Sequence, residues 1–150
     1  MKFMLATVAS VAASVAAVSI DRLAVPETIA VDKPFAVQIS SGGSVAGYVS
    51  SVMFGFGAWK GSDRSQLGVP AASIQLIDAA NGIVPYGPFT RQTIVPSRIV
   101  GKLSGQTEIR AAVLSSYGAN GNLGYAVYRA NVTFGEEASD KYVDLQFFYQ

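Results

Sequence analysis

Residues Thr107–Ala119 read T-E-I-R-A-A-V-L-S-S-Y-G-A. Ile109, Ala111, Val113, Ser115 and Tyr117 share one parity, with Arg110 and Ser116 on the other. Alternation of period two marks a β-strand with one buried face, because successive side chains leave the backbone on opposite sides. Leu114 interrupts the polar parity, so the second face is expected to be partly covered as well. Such a strand belongs in the middle of a packed sheet.

The rest of the chain supplies its partners. Ile20–Pro26 and Lys33–Ser40 read as the first two strands, the second alternating Phe35, Val37 and Ile39 with Ala36, Gln38 and Ser40. Pro34 is acceptable at a strand's start, where no ladder hydrogen bond is lost. Ser41-Gly42-Gly43-Ser44 reads as a turn, Val49–Phe56 as the third strand and Trp59–Val69 as a long loop. Ala72–Ile77 is the fourth strand and Asn81-Gly82 a tight turn. Phe89–Val95, closed by Pro96, is the fifth and belongs at an edge; Glu108–Tyr117 and Gly124–Phe134 are the sixth and seventh. Asn120-Gly121 between the last two can adopt the positive φ angles of a hairpin turn. Beyond the N-terminal segment no stretch carries a helical period. Seven short strands separated by turn signals predict an all-β chain, an immunoglobulin- or fibronectin-type β-sandwich.

The 150 residues amount to one domain, and they contain no Cys and no His. Met1–Ala17 reads as a secretory signal peptide: Lys2, then the apolar run Phe3–Val15, then small residues for cleavage. The run is shorter than the roughly 20 apolar residues of a membrane span, so no stable membrane insertion is expected. The division expected is signal peptide 1–17, sandwich 18–135 and tail 136–150. Removing Lys2 leaves ten basic and ten acidic residues. A neutral chain lacks the basic excess that nucleic-acid binding needs. An exported chain without cysteine must be held by packing and strand pairing instead of disulfides.

Composition also narrows the chemistry. Without His or Cys there is no Ser-His-Asp or Cys-His nucleophile and no His- or Cys-ligated metal. Asp63, Asp78, Glu108, Glu136 and Glu137 could supply a hydrolytic carboxylate pair, but they read as solvated groups in or beside loops. Gly55-Phe56-Gly57 is too short for a phosphate-cradling loop and reads as a bulge or bend at a strand's end. The expectation is a chain with no catalytic residue, cofactor or metal that works by binding. Rings near turns are the candidate binding surface: Trp59, Tyr86 and Phe89, with Phe147, Phe148 and Tyr149 of the tail. The tail, in which Val143, Leu145 and Phe147 alternate with Asp144 and Gln146, either adds a strand to a sheet edge or forms a disordered terminus. Asn131-Val132-Thr133 is the only N-glycosylation sequon, with Asn131 on the solvent parity.

Several segments together resemble a known family. Ser51–Gly57 (S-V-M-F-G-F-G), Ser65-Gln66-Leu67-Gly68, Thr93-Ile94-Val95-Pro96, Gly105, Ile109–Ala119 and Asn131–Gly135 follow the order seen in the necrosis-inducing secreted effector family of fungi. The resemblance covers roughly residues 20–135. It implies a secreted fungal protein with an immunoglobulin-like fold that acts on plants. Some members are associated with cell death and with suppression of pattern-triggered immunity through receptor-associated kinases. The partner implied is a host plant protein, and no active-site residue carries over. The charged loop with Trp59 and the ending L-Q-F-F-Y-Q depart from the family pattern. The alternative is an extracellular carbohydrate- or wall-binding module built on the loop aromatics.

Overall fold

The computed structural model describes residues 18–43, 47–57, 66–77, 84–101, 105–117 and 122–149. Ten strands and one short helix follow the order β1 (Val18–Pro26), β2 (Thr28–Ala30), β3 (Pro34–Gly43), β4 (Gly47–Phe56), β5 (Val69–Gln75) and β6 (Gly87–Ile94). Then come α1 (Ser97–Val100), β7 (Gly105–Tyr117), β8 (Asn122–Gly135), β9 (Tyr142–Asp144) and β10 (Gln146–Tyr149). One sheet has the order β6-β3-β1-β9; the other runs β10-β8-β7-β4-β5, with β2 added to β8.

The chain is an all-β sandwich. With the long strands lettered A (β1), B (β3), C (β4), C′ (β5), E (β6), F (β7) and G (β8), the sheets run A-B-E and C′-C-F-G. Those sheets share with immunoglobulin-type sandwiches the neighbours A-B-E in one sheet and C-F-G in the other. β7 lies between β4 and β8, the central place its alternation required. Its Ile109, Ala111 and Val113 face Leu23, Val25, Phe35, Val37 and Ile39 of the other sheet across a core completed by Val52, Phe54 and Phe56. Each fully buried side chain of this size contributes about 1.5–3 kcal/mol. This apolar layer has to hold the fold, since the chain has no disulfide.

Four local expectations are corrected. Ser41–Gly43 is not a turn but the end of β3, paired with Val18–Ile20 of β1. Val69, expected in a loop, opens β5 against Phe56. A single helical turn, α1, follows β6; Pro96 precedes it, Gly101 ends it at φ 58°, and Val100 anchors it in the core. One turn is too short to carry a visible 3.6-residue period, so sequence pattern could not reveal it. Finally, the seven long strands are joined by three short ones along one margin of the sandwich: β2, which the pattern did not show, and β9 and β10, which take the added-strand reading of the tail.

Along that margin the short strands carry the chain from one sheet to the other and back. Pro26 has no N–H to donate and closes β1. The chain then crosses to the second sheet, where β2 runs parallel to β8 with Thr28 opposite Thr133. The tail makes the return pairing: β9 lies on β1 at Ala24–Pro26, and β10 lies on β8 at Val127–Arg129. The expected turns at Asn81-Gly82 and Asn120-Gly121 and the signal segment lie outside the described residues. Among the described residues no helix is long and apolar enough to cross a membrane.

Candidate binding surfaces

The candidate aromatic residues divide between two opposite margins. β6 ends one sheet on the side away from β9, and β10 ends the other on the side away from β5. Tyr86 precedes β6 in the sequence Pro85-Tyr86-Gly87-Pro88, and it is 78% exposed. Its turn is held by the Ser41 hydroxyl, which donates to the Pro85 carbonyl, and by Gly87 at φ 84°. Phe89 is half-buried against the core, with the Arg91 guanidinium 5.1 Å from its ring centre. Beside it, on the solvent face, Arg22, Gln38, Pro88 and Thr90 border a shallow groove of about 210 Å³. The Arg22 Nε donates to Asp144 at 2.7 Å, so the one charge at this groove is already paired.

On the opposite margin Phe147 is 58% exposed and meets Tyr128 edge-on, with ring centres 5.8 Å apart. Burial, and after it the charge of Asp21, pushes the Tyr128 phenol above its ordinary range. Phe148 turns the other way. The register shifts between Phe147 and Tyr149, and the Phe148 ring lies over two guanidinium groups, Arg129 at 4.0 Å and Arg110 at 5.0 Å. Planar cations over a ring face are attracted by its quadrupole. Backbone pairing sets Tyr149 opposite Val127. Asn131 is exposed on β8, opposite Glu108. Trp59 lies outside the described residues. Among the described residues, Tyr86 and Phe89 on one margin and Phe147 and Phe148 on the other form no single surface.

Arg110 lies on the second face of β7, which was expected to be partly covered, and it is the charged residue buried there. Its side chain is only 5% exposed, although its parity points away from the core. The Nε donates to Glu108 at 2.7 Å, and Nη1 donates to the Gln66 carbonyl at 2.6 Å. Arg129 Nη1 reaches the other Glu108 oxygen at 3.4 Å. Residues 66–67 thereby lie against the outer face of the sheet over Gly55, where a Cβ would meet the Leu67 carbonyl oxygen at 2.3 Å. Glu108 is thus tied to two arginines. Among the described residues no group of three or more acidic side chains gathers in metal-binding proximity.

Gly55, Gln66-Leu67 and Arg110 belong to three segments far apart in sequence that share one packing contact. Residues 16–133 match the Nis1 family. The chain belongs to that family. No curated protein matches it. Within this Nis1-family chain, the matched region spans β1 to β8 and stops short of β9 and β10. The seven long strands thus fall within the matched region almost to the end of β8, and β9 and β10 lie beyond it.

Proposed function

We propose that this chain is a secreted fungal effector that binds a host plant protein and modulates immunity. It acts by suppressing pattern-triggered signalling through receptor-associated kinases, by inducing cell death, or by both. It binds without chemistry of its own. The observation that carries this reading is membership of the Nis1 family across residues 16–133. A rigid disulfide-free sandwich displaying Tyr86 and Phe147 at its margins suits recognition of a protein surface, where tyrosines and other rings supply anchors. The wall-binding alternative requires a coplanar row of rings, and the described rings divide between opposite margins.

The test is the elicitor-triggered oxidative burst in leaf tissue expressing the full chain or a form lacking Met1–Ala17. The expected outcome is suppression by the form lacking the signal segment, which places the target inside the plant cell. Suppression by the exported form alone keeps the effector reading and moves the target outside the cell. An unchanged burst and no cell death with either form, at matched protein levels, refutes it.

A further inference from the structure

We propose that the margin formed by β1 and β8 is a strand-acceptor site, with residues 136–149 as its resident occupant, exchangeable for an extended segment of a partner protein. The inference goes beyond the effector reading and does not depend on it.

The occupant lies outside the family match, which ends at residue 133, and it follows the last of the seven long strands. It docks as an added strand does. Main-chain bonds run from Leu145 N–H to the Leu23 carbonyl (2.8 Å), from Glu27 N–H to the Lys141 carbonyl (2.8 Å) and from Ser139 N–H to the Thr28 carbonyl (3.0 Å). Main-chain pairing of this kind gives affinity, and pockets for individual side chains give selectivity. Three such pockets are visible. Leu145 enters the core, Asp144 meets Arg22, and Phe148 sits on Arg129 and Arg110.

Charge agrees with this division. Residues 136–150 carry four acids and one lysine, whereas residues 18–135 carry nine Lys and Arg against six Asp and Glu. The fitting ligand is therefore an extended segment with an acid, then an aliphatic residue, then an aromatic residue three positions further on. That is the spacing of Asp144, Leu145 and Phe148.

Several features make the occupant separable from the body. β9 and β10 have three and four residues, against ten in β3 and in β4. The Arg22–Asp144 pair is half exposed, the β10 register is broken, and Phe147 remains largely in solvent. Segments with short ladders and few buried side chains open at a free energy below that of global unfolding.

The test uses the full chain with its own tail weakened by Leu145→Ser and Phe148→Ala, which leaves the acceptor intact. The probe is a fluorescein-labelled peptide of sequence A-S-D-K-Y-V-D-L-Q-F-F-Y-Q, followed by anisotropy. Saturable binding at least about tenfold tighter to the weakened chain than to the unaltered one is expected, because the resident tail competes. That binding should disappear for a peptide carrying the same two substitutions. It should fall severalfold when Arg22→Ser and Arg129→Ser are added to the weakened chain. Equal binding to both chains, or none by a weakened chain with a native circular-dichroism spectrum, overturns the proposal. So does a weakened chain that forms a stable dimer and ignores the peptide, because the occupant is then a second copy. If the weakened chain does not fold, hydrogen exchange of the unaltered protein decides. Leu145 and Phe147 amides should exchange at least about tenfold faster than those of Ile109 and Val113. Equal rates mean that the tail leaves only with global unfolding, and the proposal fails.

Discussion

At the scale of single residues, Gly55 and Asp32 show sequence choices that only contacts explain. A Cβ at position 55 would approach the Leu67 carbonyl oxygen and carbon at 2.3 and 2.9 Å, both backbone atoms that cannot rotate away. Gly55→Ala should destabilise the chain by about 1–3 kcal/mol, as overpacking does, with residues 66–67 lifted from the sheet. Urea unfolding measures that loss, and an unchanged midpoint contradicts the contact. Asp32 has φ 61°, a conformation Asp and Asn tolerate better than other side chains. Its Oδ1 accepts the Ser97 N–H at 2.9 Å at the start of α1. Hydrogen bonds from the Ser97 side chain and then its backbone hold the Asp32 carboxyl below its ordinary value of 3.8. A lowered folded value means that the stabilisation is present above that pH and lost as pH falls through the folded value. Asp32→Asn keeps the backbone conformation and an acceptor while removing the charge. The unaltered chain should be the more stable of the two at neutral pH. The gap should close as pH falls below about 4, a convergence read from urea midpoints across pH.

At the scale of elements, β7 carries both faces of the second sheet. Its inner face builds the core, and its outer face holds the Glu108–Arg110 pair that fastens residues 66–67. Breaking a buried pair by removing one partner costs more than the pair itself contributes, because the remaining charge is stranded. Glu108 is 26% exposed, so solvent screens part of that penalty. Glu108→Gln should cost about 1–2 kcal/mol, less than the full penalty for an unmatched buried charge. A double-mutant cycle with Arg110→Met, read by urea unfolding, should give a positive coupling energy; additive effects would show that the two side chains act independently. The alternation of Thr107–Ala119 identifies this strand and its central position, as it does Phe35, Val37 and Ile39 of β3. It puts Arg110 on the outer face and expects that face partly covered, but parity cannot say what covers it. The cover comes from Gln66, 44 residues away, and from Phe148 of the tail. The short elements β2 and α1 escape for another reason. Three or four residues hold less than two periods of any pattern, and tertiary contacts set their conformation.

At the scale of the whole molecule, the two sheets meet through an apolar layer, and the three short strands join them along one margin. Phe54, fully buried near the middle of that layer, should cost about 3–5 kcal/mol when truncated in Phe54→Ala, through lost burial and the cavity left behind. Thermal unfolding checks it, and a loss under about 1 kcal/mol would mean that the sheets close over the gap. The sequence by itself determined the all-β class, the seven long strands and the exposed parity of Asn131, because those features depend on local alternation and turn chemistry. It also carried the resemblance that the family match supports. Only the tertiary structure decided that the tail spans both sheets, that Phe147 faces solvent while Phe148 lies on two arginines, and that Tyr86 and Phe147 occupy opposite margins. These follow from which strand edges become neighbours after the sheets pack. That is a relation between residues more than a hundred positions apart, as with Arg22 and Asp144, which no local period encodes.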